Sequence, residues 1–253
     1  MRKIIKFIVR NIPRPLMIKL SKLVFFIKPF YLGNKVECPI CKKHYRKFLP
    51  YGNNAGVNRL CPNCLSLERH RLIWIYLNKK TDFFQANHKF LHFAPEQPFI
   101  KRFKKLKNLN YTTADIVSPI ADLHIDILKT GLESNNYDII FANHVLEHVE
   151  NDIFAMKEIF RLLKSGGWAI MQVPINFKSQ ITDEDPNITD PKEREKRFGQ
   201  YDHVRYHGLD YPNRLESVGF IVEKFEVEKI FSQNQIERIR LDKNEILYIA
   251  KKQ

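Results

Sequence analysis

A series of short apolar segments between residues 89 and 174 constrains the fold of this chain most strongly. Each segment is followed by a polar turn, and helical patterns separate the segments. Buried runs of this length that alternate with helices predict parallel strands covered on both faces, in an α/β fold. The four predicted strands are Lys89–Ala94, Tyr111–Ile116, Tyr137–Ala142 and Trp168–Pro174.

Polar residues follow the predicted strands at the points where the strands end. Glu96 comes after the first strand, Asp115 lies at the end of the second, and Asn143 and His144 follow the third. In an open parallel sheet, ligands bind outside the carboxyl ends of the strands. Asp115 lies nineteen residues after Glu96, a spacing at which an acid accepts hydrogen bonds from ribose hydroxyls. A carboxylate that caps the next turn is the alternative role for Asp115.

Two Cys-x-x-Cys pairs stand before this region, with nineteen residues between them. This spacing is typical of a zinc ribbon, in which four thiolates surround one tetrahedral ion. A site closed by four protein ligands indicates a structural role, and the cysteine usage suits a reducing compartment. The alternative is four free, buried thiols. The predicted ligands are Cys38, Cys41, Cys61 and Cys64.

Positive charge is concentrated at the front of the chain. The net charge is +14, and residues 1–50 hold 13 lysines and arginines against one acid, Glu37. Leu16–Lys28 reads as a basic amphipathic helix, so we expect residues 1–34 to contact an anionic membrane surface, with RNA as the alternative partner. A helix packed on its own protein is the third option. The apolar runs are shorter than the ~18 residues of a spanning helix, and no signal-peptide cleavage pattern follows. We therefore expect a cytoplasmic protein, peripheral at the inner membrane face.

Several motifs resemble those of the class I S-adenosylmethionine-dependent methyltransferases, of the type 11 kind, over about residues 88–252. Asp115, the His-Val-Leu-Glu-His-Val string at 144–149 and the glycine turn at 162–167 carry the resemblance. The first turn departs from the family, because His92 stands where an acid is usual, and Ala94, Glu96 and Pro98 stand at the glycine positions. The resemblance implies a Rossmann-like sheet of seven strands and S-adenosylmethionine as the cofactor.

The resemblance also implies which residues hold the cofactor. Asp126 would lie beside the adenine pocket with Ile127 as its apolar wall, and Asn143 and His144 would border the transferred methyl group. The full set of implied cofactor-binding residues is Phe93, Ala94, Pro95, Glu96, Asp115, Ile116, Asp126, Ile127, Asn143 and His144.

The polar segment from residue 175 to 211 is too long for a plain connection, and we interpret it as a lid over the acceptor. His203, beside Asp202, is suited to act as a general base, and Arg205 to hold an anionic acceptor. A surface loop with chance polar residues is the alternative, and His148 is equally suited to a structural hydrogen bond. The predicted catalytic residues are His203, Asp202 and His144, and the predicted acceptor contacts are Tyr201, Arg205, Tyr206 and His148.

Together these patterns predict a basic arm at 1–34, a zinc ribbon at 35–66 and a methyltransferase domain at 67–253. The expected reaction is methyl transfer from S-adenosylmethionine to a small-molecule or saccharide acceptor, which the basic arm suggests is lipid-linked. An RNA base methyltransferase is one alternative, because the positive charge suits phosphates. A non-catalytic, zinc-bearing scaffold is the other, because the first turn lacks the usual glycines.

Overall fold

The structure is a computed structural model that describes residues 28–51 and 58–253. Most of the predicted amphipathic helix therefore lies outside the described residues. Among those described, no helix combines the length and apolar character needed to cross a membrane. The chain divides into two compact units, Met1–Lys80 with Val227–Glu245, and Thr81–Glu226 with Ile246–Gln253.

The second unit is built on a sheet of seven strands in the order β12-β13-β9-β8-β5-β6-β7. Strands β5 to β9 pair in parallel, whereas β13 is antiparallel to both β9 and β12. The predicted α/β fold and seven-stranded sheet are confirmed. The strands are β5 (His88–Phe93), β6 (Leu109–Asp115), β7 (Leu123–His124), β8 (Tyr137–Ala142), β9 (Leu163–Ile170), β12 (Ile221–Glu226) and β13 (Ile246–Lys251).

Helices and two short strands complete the second unit. Aromatic side chains from β5, β6, β8 and the neighbouring helix pack edge to face on one another, and each buried ring contributes roughly 1.5–3 kcal/mol through removal of apolar surface from water. The helices of this unit are α2 (Gln97–Phe103), α3 (Asp152–Leu162), α4 (Pro191–Phe198) and α5 (Tyr211–Glu216), and the short strands are β10 (Asp183–Glu184) and β11 (Arg205–Tyr206).

The first unit contains the cysteine pairs together with helices from two distant parts of the chain. Four short strands, paired as two antiparallel ribbons, surround the cysteines. The unit comprises a 3₁₀ helix (Lys28–Tyr31), strands β1 (Leu32–Cys38), β2 (Lys43–Tyr45), β3 (Leu49–Pro50) and β4 (Asn58–Leu60), and helices α1 (Glu68–Lys80), α6 (Val227–Ile230) and α7 (Gln233–Ile239).

Three local expectations are corrected. The fourth predicted strand begins earlier than expected, at Leu163, because Gly166 and Gly167 exchange backbone hydrogen bonds with Lys252 instead of forming a turn before the strand. It ends at Ile170, so residues 171–174 follow the strand. The His-Val-Leu-Glu-His-Val string forms a series of turns, and helix α3 starts only at Asp152. Ser66 precedes an apolar helical pattern and its residue type suits an N-cap, but its hydroxyl instead lies among the cysteine thiols.

Candidate active site

Strands β5, β6 and β8 bring their carboxyl ends to one edge of the sheet. In the strand register Phe93 lies opposite Ala114 and Ala142, so Ala94, Asp115 and Asn143 follow at one level. The chain runs from β5 to β6 on one side and later returns to β8 on the other, which is the topology that opens a ligand crevice. Across this crevice the Asn143 side chain donates to Glu96 Oε2 at 3.0 Å.

The backbone is strained at two turns of this edge. Ala94 has φ of 46° and His144 has φ of 54°, although a left-handed conformation costs a non-glycine residue on the order of 1 kcal/mol. Hydrogen bonds support both turns, from the Ala94 amide to Ala114 O at 2.8 Å and from the His144 amide to Gln172 O at 2.7 Å. The turn after β5 therefore takes a conformation that favours glycine, with alanine in the glycine position.

The end of β6 combines a carboxylate with exposed apolar surface. Asp115 Oδ1 accepts from the amides of Val117 and Ser118 at 2.9 and 2.8 Å. Ile116 and Val117 are 61% and 70% exposed. Large aliphatic side chains left open beside a carboxylate suit a ligand that has both a flat apolar ring and hydroxyl groups.

The other residues of the predicted cofactor set differ in exposure. Asp126 is exposed, and its Oδ1 accepts from the Leu128 amide at 2.9 Å. Ile127 is buried in the core cluster of the sheet, which corrects the expectation of an apolar wall open to the adenine. Phe93 and Pro95 are also buried, so at this turn they support the backbone.

A buried acid supports His144. Glu147 is 1% exposed, and its Oε1 lies 3.0 Å from His144 Nδ1. Burial alone raises the pKa of Glu147, but the hydrogen bond with His144 and the neighbouring groups outweigh burial and lower it. Glu147 therefore stays ionised. Sequence reasoning left Glu147 out of the site, although its spacing of three residues from His144 was visible.

Two residues of the predicted lid segment, His203 and Asp202, lie beside His148, the residue that follows Glu147. His203 is 7% exposed, and its Nδ1 lies 3.1 Å from Phe198 O. Its ring packs edge to face on the half-buried ring of His148, with centroids 4.8 Å apart. His148 Nδ1 in turn lies 3.3 Å from Asp202 O and 3.6 Å from Asp202 Oδ2. Burial lowers the pKa of His203, so the neutral ring prevails at neutral pH.

Arg205 binds its own protein. The guanidinium is 3% exposed, and it donates to Glu184 Oε2 at 2.8 Å and to three carbonyl oxygens of the turn before α3. Four of its five N–H donors are thus directed at its own protein, which corrects the expectation that Arg205 holds an anionic acceptor. The backbone acceptors are Leu146 O at 2.7 Å, Val149 O at 2.6 Å and Glu150 O at 2.8 Å.

Exposure separates the other lid residues as the strand alternation predicts. His203, Arg205 and His207 are buried, whereas Asp202 and Tyr206 are partly exposed. Tyr201 is 40% exposed and stands outside the buried set. Arg205, one of the predicted acceptor contacts, thus anchors the segment to residues 146–150 instead.

Four cysteine thiols converge in the first unit. The Sγ atoms of Cys38 and Cys64 lie 3.5 Å apart, and those of Cys41 and Cys61 lie 3.7 Å apart. The four ligand atoms all lie within 4.8 Å of one another. Such a cluster is suited to one tetrahedral zinc ion.

A buried cation lies behind the cysteine cluster. The Arg71 guanidinium has no exposure and donates to Ser66 O at 2.9 Å and Arg59 O at 3.0 Å. It also stacks on the Phe48 ring, 4.8 Å from the centroid. Four thiolates around one divalent ion would carry net negative charge, which Arg71 would partly offset. This role could not be predicted from sequence, since Arg71 stands inside a helical pattern.

Comparison with known proteins agrees with this geometry. Residues 79–171 match the family described as a methyltransferase domain. The hybrid PKS-NRPS synthetase mpsA of Macrophomina phaseolina (strain MS6) is 42% identical over 57 residues, which are 22% of this chain and 1% of that protein. The chain thus corresponds to only a small part of that curated relative.

Solved structures of similar fold include the [4+2]-cyclase SpnF, with a TM-score of 0.50, 13% identity and coverage of 92% of this chain and 95% of that one. An S-adenosylmethionine-dependent methyltransferase from Archaeoglobus fulgidus aligns with a TM-score of 0.46 and 14% identity, over 72% of this chain and 93% of that one. The likeness to SpnF shows the fold, and the family match covers the strands that form the crevice. Residues 79–171 thus match a methyltransferase domain, within a fold similar to that of SpnF.

Proposed function

We propose that this domain transfers a methyl group from S-adenosylmethionine to a protic group of a small molecule or saccharide. The observation that carries the proposal is the pairing of His144 with the buried Glu147, at the same sheet edge as Glu96 and Asp115. An imidazole whose Nδ1 is held by a buried carboxylate can accept a proton at Nε2 during reaction.

The residues at the crevice fit the cofactor by the chemistry of their donors and acceptors. We assign Asp115 to the ribose hydroxyls, Ile116 to the face of the adenine, and Glu96 to the ammonium group. Asp126 would lie beside the adenine. The His144 Nε2 atom is buried and has no hydrogen-bond partner within residues 28–51 and 58–253, so the crevice contains a polar atom that a ligand would satisfy.

Protein residues contribute positioning and a proton acceptor. When bound, S-adenosylmethionine supplies an electrophilic methyl group. The Glu147 carboxylate fixes the His144 ring through Nδ1, which leaves Nε2 to take the proton of the acceptor. Asn143 holds Glu96 through its amide and accepts from the Gln172 amide at 3.2 Å. Rigid support of this kind holds two reactants in line for transfer.

We further propose that the four cysteines hold a structural zinc ion. All four positions of a tetrahedral ion would be filled by thiolates, so this ion has no open position for an acceptor. Its role is to fold the short strands around it, which bury little apolar surface of their own.

Cofactor binding tests the assignment of Asp115. We expect Asp115→Ala to weaken binding of S-adenosylmethionine by about 1–3 kcal/mol, because the ribose hydroxyls lose a charged acceptor. Isothermal titration calorimetry measures this change. Asp82→Ala, an exposed acid that precedes β5, is the matched control and should bind as the parent protein does. Equal affinity in both variants would contradict the assignment.

The acceptor class is tested by release of S-adenosylhomocysteine. Pools of small hydroxylated molecules and saccharides should stimulate release, and His144→Ala should reduce the stimulated rate by about 10²-fold or more when S-adenosylmethionine is saturating. Stimulation by RNA alone would favour the RNA alternative instead.

We also propose that residues 1–34 bring the enzyme to an anionic membrane surface, where a lipid-linked acceptor would be found. The basis is the run of basic residues in this part of the sequence. Sedimentation with vesicles containing phosphatidylglycerol should show binding that falls with salt and is lost when residues 1–34 are deleted. Retained binding after the deletion would contradict the proposal.

A further inference from the structure

A second group of metal-ligating side chains lies beside the proposed proton acceptor. One ligand atom from each of Glu147, His148 and His203 lies within 4.8 Å of the other two. We propose that these three residues bind a divalent transition-metal ion such as zinc or cobalt, with an open position that faces the acceptor. Nothing in the family match or in the fold assigns a metal here, and the cysteine cluster is a separate site.

Glu147 provides the negative charge of the proposed site. Its Oε1 is engaged by His144, whereas its Oε2 is buried and has no hydrogen-bond partner in the part of the chain that the structure describes. A buried ionised oxygen without a partner is costly, and a cation removes that cost. The carboxylate can thus serve His144 with one oxygen and a metal ion with the other.

In both histidines the Nδ1 atom contacts a backbone oxygen atom. His203 Nδ1 lies 3.1 Å from Phe198 O, and His148 Nδ1 lies 3.3 Å from Asp202 O. Histidines that bind metal ions commonly donate their other ring N–H to an oxygen in this way, which fixes the tautomer and the ring. The Nε2 atoms of both rings then have lone pairs available for an ion.

The backbone holds the ligands from both segments together. The Val204 amide donates to Glu147 O at 2.9 Å, and the buried Arg205 ties the same lid segment to three carbonyl oxygens of the turn. Ligands 2.0–2.2 Å from one ion are about 3.5 Å apart, so closing the cluster requires side-chain shifts of about 1 Å or less. Rotation of the half-exposed His148 can supply most of that shift.

The ligand set indicates what the ion would do. Two imidazoles and one carboxylate suit a first-row transition metal and leave at least one position open, unlike the four-cysteine site. An acceptor oxygen bound there would lose its proton more readily, because the ion stabilises the oxyanion. This role for the ion rests on the proposed methyl transfer, whereas metal binding itself does not.

Cobalt(II) binding distinguishes the two sites. The zinc-depleted protein is titrated with Co²⁺ and followed by absorption, because thiolate ligation gives intense near-ultraviolet charge-transfer bands that a histidine and carboxylate site lacks. We expect about two equivalents of Co²⁺ in the parent protein and about one in His148→Ala. His88→Ala, a histidine at the amino end of β5, should retain about two equivalents.

A second variant controls for loss of binding through misfolding, and a separate measurement tests the methyltransferase proposal on its own. Glu147→Gln keeps the size of the side chain and should also bind about one equivalent. Circular dichroism of the variants should match the parent protein. Binding of only the thiolate-type equivalent by the parent protein would overturn the metal site. Calorimetry with S-adenosylmethionine on the same preparations reports on the methyltransferase proposal independently of that outcome.

Discussion

At the residue scale, the site depends on buried charged groups that form hydrogen bonds within the protein. Arg205 donates through Nε to Glu184 and through its terminal nitrogens to three carbonyl oxygens. A planar guanidinium can satisfy several acceptors at fixed angles, which a flexible ammonium cannot do. Arg205 therefore helps to hold the segment that carries His203 against the turn that carries Glu147, together with the bond from the Val204 amide to Glu147 O.

We expect Arg205→Lys to lower the free energy of unfolding by about 2–3 kcal/mol, because buried carbonyl oxygens are left without donors. Urea denaturation measures the loss. Arg197→Lys, on an exposed arginine that pairs with Asp183 and Asp185, is the matched control and should leave stability unchanged. If the two variants are equally stable, the bonds of Arg205 do not hold the segment in place.

Prediction from sequence agrees with the position of residues that stand where buried strands end. Asp115 ends β6 and Asn143 directly follows β8, as expected, and their contacts with the cofactor stay predictions. Arg205 was misassigned because sequence gives its charge but not its partners. Asp152 and Glu147 were missed for a related reason. The sequence around an acid in a turn or at a helix start does not show whether that acid is buried or exposed.

At the element scale, several ion pairs meet at one buried residue, Asp152, at the start of α3. Asp152 stands in the first helical turn, where a carboxylate also interacts favourably with the helix dipole. It accepts from Arg214 Nη2 at 2.6 Å and contacts His207 Nε2 at 3.2 Å, and Arg205 Nε lies 4.0 Å away. Burial alone raises the pKa of Asp152, but the bonds from His207 and Arg214 lower it well below its usual range.

This depressed pKa predicts a pH dependence of stability. The contribution of Asp152 is fully present above the unfolded-state pKa of about 3.9 and is lost as pH falls toward the lower folded-state pKa. We expect Asp152→Asn to cost about 3 kcal/mol at pH 7, because two arginines lose a buried partner. The difference from the parent protein should shrink below about pH 4. Denaturation curves at several pH values measure it.

The control for this prediction is Asp185→Asn, which removes an exposed carboxylate that pairs with Arg197 on the surface. Its stability should follow that of the parent protein throughout. A difference for Asp152→Asn that grows as the pH falls would have the wrong sign and would contradict the assigned pKa direction.

Elements were predicted best where their signal is local. The strand Tyr137–Ala142 was predicted with the bounds that the structure gives, because a continuous apolar run between turn residues is sufficient. The strand from Leu163 was placed too late, since its first part pairs through backbone atoms with the end of the chain. Pairing between residues so far apart in sequence leaves no mark in a local pattern.

At the scale of the whole molecule, the chain assembles its two units from segments that alternate along the sequence. The Val227–Glu245 segment stands between two neighbouring strands of the sheet, yet it belongs to the unit that contains the cysteines. Within that unit, Arg71 donates to Arg240 O and to Ser66 O, and Arg238 donates to Glu37 Oε2 at 3.0 Å. The predicted domain boundary at residue 67 was based on motif positions. Motif positions cannot show that a later segment of the chain joins the unit that contains the cysteines.

These bonds predict which parts of the chain would lose protection if the proposed zinc ion were removed. Without the ion, four mutually repelling thiolates or four reprotonated thiols cannot hold the short strands together. We expect hydrogen exchange to accelerate after chelation in residues 38–45 and 58–66, and to a smaller extent in α7, whose following residue Arg240 shares Arg71 with the cysteine region. Amides of strands β5 and β8 should keep their protection, because they belong to the other unit.

Cys61→Ser should reproduce the pattern, and added Zn²⁺ should reverse it only in the parent protein. Equal loss of protection in β5 and β8 would mean that the two units unfold as one, and unchanged exchange around the cysteines would mean that no ion supports them.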